Sequence, residues 1–244
     1  MADANNKMTA GLSDHWLWIV DDQYIHAPLG SDTLEPDDKK RKVELPALAK
    51  AINLNAEGKT VKALREVESA VQAGDNTPEL HWARGQLDFE LKRFEDAKKA
   101  YERVLALRPK NKGATFNIAL CLEKLGRFEE AAERFRQVAR LDPDLPAARV
   151  GLGGCLLHLD KPEDGLKEFS TCLEKDPEYD RALAGKAVAL HMLRKYDDAF
   201  EMYTKALQLH PNDEDLYANL VAVSAARRDE PRLRDYAETL LKMV

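Results

Sequence analysis

The stretch RFEDAKKAYERVLALRPKN, residues 93–111, returns three more times along the chain. The later copies are RFEEAAERFRQVARLDPDL at 127–145, KPEDGLKEFSTCLEKDPEY at 161–179 and KYDDAFEMYTKALQLHPND at 195–213. Each copy begins 34 residues after the previous one, and no insertion interrupts the register. A fixed period of this length indicates that one small structural unit is stacked several times.

Three kinds of column in this alignment show what the unit is. Small residues recur where two helices would cross closely, at Ala51, Gly85, Ala119, Gly153 and Ala187, and at Ala63, Ala97, Ala131, Gly165 and Ala199. Large apolar residues recur on one face of the second helix, at Val67, Tyr101, Phe135, Phe169 and Tyr203. Proline closes the unit because it cannot continue a helix, at Pro109, Pro143, Pro177 and Pro211. Each unit is therefore predicted to be two short helices joined by tight turns.

This pattern of small, aromatic and proline positions resembles the tetratricopeptide repeat family, and the resemblance covers residues 44–244. It implies an all-α fold, a right-handed α-solenoid of about six helix pairs that follows an N-terminal leader at residues 1–43. The predicted units are 44–77, 78–111, 112–145, 146–179, 180–213 and 214–244. The first and last units depart most from the pattern, and we expect them to be terminal caps.

The resemblance also implies where a partner would bind. In this family the first helix of each pair lines a concave surface that takes up an extended peptide or a helix of a partner. On this sequence that surface is mostly apolar, and an apolar channel usually marks an interaction site that something should cover. We expect partner contacts at Trp82, Gln86, Phe89, Phe116, Asn117, Leu120, Val150, Leu157, Val188 and His191.

The chaperone-binding members of the family clamp a terminal carboxylate with lysine, asparagine and arginine. Here the corresponding positions are Leu48 and Ile52, Ala83 or Asn117, and Ala147 with Gly151 or Arg181 with Gly185. Because this set lacks the clamp, an Hsp70 or Hsp90 tail is not the expected ligand.

The leader contains HWLWIV at residues 15–20, with two of the three tryptophans of the chain. In an extended segment Trp16, Trp18 and Val20 point to one side, and burying two such rings contributes several kcal/mol, at roughly 25 cal/mol per Å². Three arrangements stay open: the leader caps the first unit, it fills the groove as an internal ligand, or it is free to bind a partner or a second copy. The basic run KKRK at 39–42 is interpreted as a solvated linker rather than a nuclear-import signal.

Composition and the absence of certain motifs argue against several other classes of function. A net charge of −6 and a pI near 5.6 argue against nucleic acid as a partner. No apolar run approaches the roughly 18 residues of a membrane span. Three cysteines without close pairing favour reduced thiols in a cytoplasmic protein. The sequence shows no metal-ligand spacing, no phosphate-loop context around RVGLGG and no grouped nucleophile and base, so we expect no metal, no cofactor and no catalysis.

These observations predict a non-catalytic scaffold or adaptor that binds a segment of one or more partner proteins in an apolar concave groove. The alternative is a structural component of a cytoskeletal or other repeating protein assembly, which would bind through its edges or convex face. Self-association stays open, because the terminal LLKMV run places apolar side chains near the end of the chain.

Overall fold

The computed structural model describes residues 46–243, so the leader contacts predicted for Trp16, Trp18 and Val20 lie outside the described residues. Between residues 46 and 243 the chain forms twelve α-helices and no β-strand. The helices are α1 (Pro46–Ala56), α2 (Thr60–Gln72), α3 (Pro78–Glu90), α4 (Phe94–Leu107), α5 (Lys112–Lys124), α6 (Phe128–Leu141), α7 (Pro146–His158), α8 (Pro162–Lys175), α9 (Asp180–Met192), α10 (Tyr196–Leu209), α11 (Glu214–Ala226) and α12 (Glu230–Met243). The predicted all-α fold of successive helix pairs is confirmed.

The turn inside each pair has a recurring geometry. One residue takes a left-handed backbone conformation, and the six positions are Gly58, Lys92, Gly126, Asp160, Arg194 and Arg228, with φ between 55° and 73°. At Lys92 the backbone N–H donates to the carbonyl of Phe89, and the next N–H, of Arg93, donates to the carbonyl of Asp88, at 2.9 and 2.8 Å. This pair of bonds is a Schellman motif, which satisfies the last carbonyls of a helix and reverses the chain.

The described residues fall into two compact blocks. The N-terminal block comprises residues 46–145, with α1 to α6, and the C-terminal block comprises residues 146–243, with α7 to α12. Within each block a helix packs mainly on the helices that precede and follow it in the chain. The blocks are therefore stacks of helix pairs, as nearest-neighbour repeat architectures are.

The small-residue columns mark close helix crossings. A Cβ atom added to Gly85 would lie 2.7 Å from the ring of Tyr101. In the C-terminal block Phe169 lies between two glycines, because a Cβ at Gly153 or at Gly185 would collide with its ring. The aromatic residue of α8 thus fills the space that the glycines of α7 and α9 leave, and all three residues are buried.

The first and last helices are less buried than those between them. In α1 only Leu48 and Ala51 are buried, and none of residues 230–243, which form α12, is buried. No helix within residues 46–243 is long and apolar enough to cross a bilayer.

Candidate functional site

Helices α3 and α5 carry the aromatic side chains that the sequence assigns to partner binding. The aromatic face is defined here as Trp82, Gln86, Phe89, Phe116 and Leu120. Its three rings each meet, edge to face, a ring of the following helix: Trp82 with Tyr101, Phe89 with Phe94 and Phe116 with Phe135, at centroid distances of 5.4, 5.1 and 5.4 Å. Such edge contacts fix ring orientation. The aromatic face is therefore a rigid apolar platform.

Helix α5 is shielded from solvent on every side. All residues from Gly113 to Glu123 are buried, and the neighbours of α5 in the N-terminal block are α4 and α6. At about 100° per residue, Phe116, Leu120 and Glu123 share one side of the helix, and on that side Phe116 meets Phe135 of α6. On this side the exposed fractions of Phe116, Leu120 and Glu123 are 0%, 1% and 3%. The aromatic face of α5 is thus covered rather than open.

Asn117 was assigned to the same surface, but the structure places it beside the ring hydroxyl of Tyr101 on α4. Burial raises the pKa of Tyr101 well above its usual value, and the neighbouring Asn117 side chain partly opposes that shift. Asn117 has no exposed surface. One step along a helix rotates the side chain by about 100°, which turns Asn117 from the aromatic face toward the preceding pair.

The C-terminal block carries a second surface with smaller side chains than the aromatic face. This valine face is defined as Val150, Gly154, Leu157, Val188 and His191. Val150 and Val188 have no exposed surface, and Leu157 is 2% exposed. A Cβ atom added to Gly154 would meet nothing within 4 Å, although the residue is buried. The valine face therefore has a recess at Gly154.

His191 is the half-buried, polar end of the valine face. Its ring meets the ring of Tyr196 edge to face at 5.4 Å, and burial lowers the pKa of the imidazole. The neutral ring can donate or accept one hydrogen bond to a peptide, which suits a role in setting register rather than in binding an anion.

A polar stripe on α3 was missed by the sequence reasoning. His81, Arg84 and Asp88 are spaced at i, i+3 and i+7 and therefore share one side of the helix. His81 and Asp88 are buried, at 3% and 1% exposure. The Nε2 atom of His81 lies 2.5 Å from Oδ1 of Asn76, and Arg84 lies 3.4 Å from Glu68 of α2. Through Arg84 this stripe adds an ion pair to the largely apolar contact between α2 and α3.

Burial is the largest cause of the shifted pKa values of Asp88 and His81 in this stripe. It raises the pKa of the Asp88 carboxyl to about 6, which Arg84, at 3.5 Å, only partly opposes. Burial also lowers the pKa of His81, with Arg103 and Arg84 acting in the same direction. The alignment of the repeats could have revealed Asp88 as a buried carboxylate. The equivalent positions of the other repeats are the buried-type residues Leu54, Leu122, Leu156 and Leu190.

The turn edge of the C-terminal block has a charged cleft of about 670 Å³. It lies where the turns after α9 and α11 come together, and Arg227 is one of the residues that line it. Arg227 donates to Asp197 at 2.8 Å, and its guanidinium lies 4.4 Å from the ring centroid of Phe200. The cleft residues are Arg194, Lys195, Tyr196, Asp197, Asp198, Arg227, Arg228, Asp229 and Pro231.

The part of the chain that the structure describes contains no group of three or more histidine, cysteine or acidic side chains arranged to hold a metal ion. Cys121, Cys155 and Cys172 are buried free thiols, and burial raises the pKa of Cys172 to about 11. A thiol with a raised pKa is a weak nucleophile at neutral pH. The cysteines are therefore small buried side chains of the helix packing.

Sequence comparison assigns the repeats to a family. Three models of the tetratricopeptide repeat match, over residues 82–146, 122–189 and 180–213. The chain belongs to the tetratricopeptide repeat family. This confirms the resemblance, and no curated protein matches the chain in sequence.

Solved structures agree on the fold of this tetratricopeptide repeat protein. A tetratricopeptide repeat protein from Parabacteroides merdae is 19% identical with a TM-score of 0.73, and the match covers 81% of this chain and 78% of the other. PilF of Pseudomonas aeruginosa is 18% identical with a TM-score of 0.67, covering 81% and 90%. YrrB, described as a tetratricopeptide repeat protein with an unusual peptide-binding site, is 20% identical with a TM-score of 0.60, covering 73% and 92%. At these identities the similarity shows the fold alone.

Proposed function

We propose that this tetratricopeptide repeat protein is a non-catalytic scaffold that holds apolar segments of partner proteins, with the aromatic face and the valine face each acting as a binding surface of its own block. The observation that carries the proposal is the row of three aromatic rings, Trp82, Phe89 and Phe116, along the first helices of two successive pairs, each held by a ring of the following helix. Side chains that recur in the same columns of stacked units form one continuous apolar surface. The described helix pairs supply the surface and its rigidity.

The composition of the aromatic face sets the chemistry of the segment. Aromatic rings present large apolar areas, so a segment with apolar side chains matches this surface best. Because the rings are already held edge-on by their own pairs, little side-chain entropy is lost on binding. Gln86 lies among the apolar residues at 5% exposure. Its amide offers donors and an acceptor to a peptide backbone, which would fix the register of the segment.

The fold is compatible with this role. Tetratricopeptide repeat proteins generally bind other proteins or peptides, and YrrB, which shares the fold, is described as having a peptide-binding site. The partner of the present chain would be an extended segment with two or more large apolar side chains. A terminal carboxylate is not required, because the clamp residues are absent from the sequence positions that would hold them.

The test is a selection of displayed random peptides against the full chain, followed by affinity measurement on variants. We expect selected peptides to be rich in aromatic and aliphatic residues. Their affinity should fall at least tenfold, or about 1.4 kcal/mol, in Gln86→Glu, which places a carboxylate among the rings, and in Gly154→Glu, which fills the recess of the valine face. Both changes lie within helices. Gln86→Glu keeps the shape of the side chain, and the side chain of Gly154→Glu begins in the open space beside Gly154.

Lys99→Glu is the matched control, because Lys99 lies on the outer side of α4 with its side chain 63% exposed. It changes charge in the same direction without touching either face. The proposal is wrong if the peptides bind equally to wild type, Gln86→Glu and Gly154→Glu. It is also wrong if Lys99→Glu weakens binding as much as the face variants do.

A second candidate function rests on the charged cleft at the turn edge of the C-terminal block. Its alternating arginines and aspartates would suit an edge contact in a repeating protein assembly, which is the structural role considered above. The double variant Arg194→Glu and Arg228→Glu would reverse the charge at two cleft positions. If this variant abolishes partner binding while Gln86→Glu has no effect, the structural role replaces the scaffold.

A further inference from the structure

The charged cleft at the turn edge of the C-terminal block has more positive charge than its own carboxylates neutralise. Arg227 is already compensated, because it donates to Asp197 at 2.8 Å and lies 3.8 Å from Asp229. Asp229 also lies 3.7 Å from Arg232. Both of these aspartates are therefore occupied by arginines that belong to the fold.

Three further cations line the same cleft: Arg194, Lys195 and Arg228. All three are exposed, and none of them forms an ion pair or a side-chain hydrogen bond among residues 46–243. Of the acidic residues that line the cleft, Asp198 alone has no such pair within the same range. Three cations thus face one free carboxylate, although the block as a whole has more acidic than basic residues.

The two arginines stand at equivalent positions of successive turns, one repeat apart. Arg194 and Arg228 have φ of 60° and 58°, a left-handed conformation that glycine adopts freely and that strains other residues. In the preceding turn of the block the equivalent residue is Asp160, of a type that tolerates this conformation more readily. Because no ion pair of either arginine within the described residues offsets the strain, their placement beside an open cleft indicates a role in binding.

The free cations stand on a fixed base. The ring of Phe200 lies 4.4 Å from the guanidinium of Arg227 and 4.7 Å from that of Arg232, and such contacts hold a guanidinium group in place. The cleft, of about 670 Å³, has room for several residues of an extended chain. Its charged lining suits carboxylates, which arginine binds through two parallel hydrogen bonds.

We propose that this cleft binds an acidic segment of a partner protein, whose carboxylates are held by Arg194, Lys195 and Arg228. The inference goes beyond the proposed scaffold, because the cleft shares no residue with the aromatic face or the valine face and takes a ligand of different chemistry. It uses the cleft of the second candidate function but does not require a repeating assembly. Arg227 acts through Asp197 and holds the two turns together.

The test measures the binding of a fluorescein-labelled hexaglutamate peptide to the full chain by fluorescence anisotropy. We expect binding that weakens severalfold as the ionic strength is raised, because salt screens exposed charges. In the double variant Arg194→Gly with Arg228→Gly the affinity should fall at least tenfold. The melting temperature of this variant should rise, because glycine relieves the left-handed strain. Loss of binding together with a gain of stability distinguishes a lost ligand contact from a misfolded protein.

Lys161→Glu is the matched control. Lys161 is exposed, stands one repeat before Lys195 and does not line the cleft. The substitution lowers the net charge of the chain by the same amount as the double glycine variant. The affinity of this control for hexaglutamate should stay within twofold of wild type. An equal loss in the control would mean that the peptide responds to overall charge, and the inference would be wrong.

The remaining outcomes also decide the question. Absence of salt-sensitive binding to wild type, unchanged affinity in the double glycine variant, or a lower melting temperature of that variant overturns the inference. Tenfold tighter binding of an oligothymidylate than of hexaglutamate would assign the cleft to nucleic acid instead. Apolar peptides selected on the two faces should bind the double glycine variant as tightly as wild type, so failure of the scaffold and failure of the cleft are measured separately.

Discussion

Asp88 is a carboxylate in a column of leucines, and its burial has a cost that depends on pH. Its pKa of about 6 in the folded protein lies above the value near 3.9 of an unfolded chain. The folded state therefore binds more protons between pH 4 and 6, and the contribution of Asp88 to stability increases as the pH falls from 7. At pH 7 the buried charge destabilises the contact between α2 and α3.

We expect Asp88→Leu to raise the free energy of unfolding at pH 7 by about 3 kcal/mol, because the pKa lies about two units above that of the unfolded chain and each unit corresponds to about 1.4 kcal/mol. Arg84 keeps a partner in the variant, since Glu68 lies 3.4 Å away. The advantage should shrink as the pH falls to 5, where the wild-type carboxyl is mostly protonated. Urea unfolding of wild type and Asp88→Leu at pH 7 and pH 5 measures the stability difference at each pH.

Asp88→Asn is the control that keeps the shape and removes the charge, and it should show the same pH trend with a smaller gain. The lowered pKa of His81 acts in the opposite sense, because the unfolded histidine takes up a proton first as the pH falls. That contribution is common to wild type and variants and cancels in the difference. If the difference in unfolding free energy between wild type and Asp88→Leu did not change with pH, the raised pKa of Asp88 would be wrong.

Gly153 and Gly154 are adjacent in α7 and meet different surroundings. Alanine at either position gains about 1 kcal/mol of helix propensity. We expect Gly154→Ala to show that gain, since its Cβ would meet nothing within 4 Å, and Gly153→Ala to lose about 2 kcal/mol, since its Cβ would lie 2.7 Å from the buried ring of Phe169. Thermal unfolding of the pair measures the difference. Equal effects would show that α7 and α8 separate easily.

At the scale of elements, the repeat register predicts the helix pairs because it reflects local rules. Proline ends helices, small residues permit close crossings, and the aromatic of the second helix fills the gap beside Gly85 or Gly153. The register also indicates which side of α5 carries Phe116 and Leu120. It does not indicate what covers that side, because a column fixes the direction of a side chain and not the identity of a non-local neighbour. The register likewise does not indicate that Asn117 lies beside Tyr101 of the preceding pair.

The turns between paired helices offer a test of backbone strain. A non-glycine residue pays about 1 kcal/mol for the left-handed conformation, and Lys92 has φ of 59° where Gly126, one repeat later, has 73°. We expect Lys92→Gly to raise the free energy of unfolding by about 1 kcal/mol and Gly126→Ala to lower it by a similar amount. Denaturant titration measures both.

The open space around Gly126 means that Gly126→Ala tests the backbone conformation alone. A Cβ added there would meet nothing within 4 Å, so the loss in Gly126→Ala comes from the backbone and not from a collision. Loss of stability in Lys92→Gly would mean that the lysine side chain contributes more than the strain costs.

At the scale of the whole molecule, the contacts of the described helices join elements that are close in the chain. Within each block a helix packs on the helices next to it in the chain, and α1 also contacts α3, as α7 contacts α9. Stability in such an arrangement is a sum of local terms. A defect in one place should therefore be felt mainly by its immediate neighbours.

Val67 of α2 and Phe169 of α8 are both fully buried, and each stands in the large apolar column of its repeat. We expect Val67→Ala, which removes about 2 kcal/mol of packing, to speed amide hydrogen exchange in α1 to α3 and to leave α8 to α10 at the wild-type rate. Phe169→Leu should give the reciprocal pattern. Exchange followed by mass spectrometry of peptides resolves the two regions. If either substitution lowers protection uniformly from α1 to α12, the chain unfolds as one cooperative unit, and the local reading of the repeats is wrong.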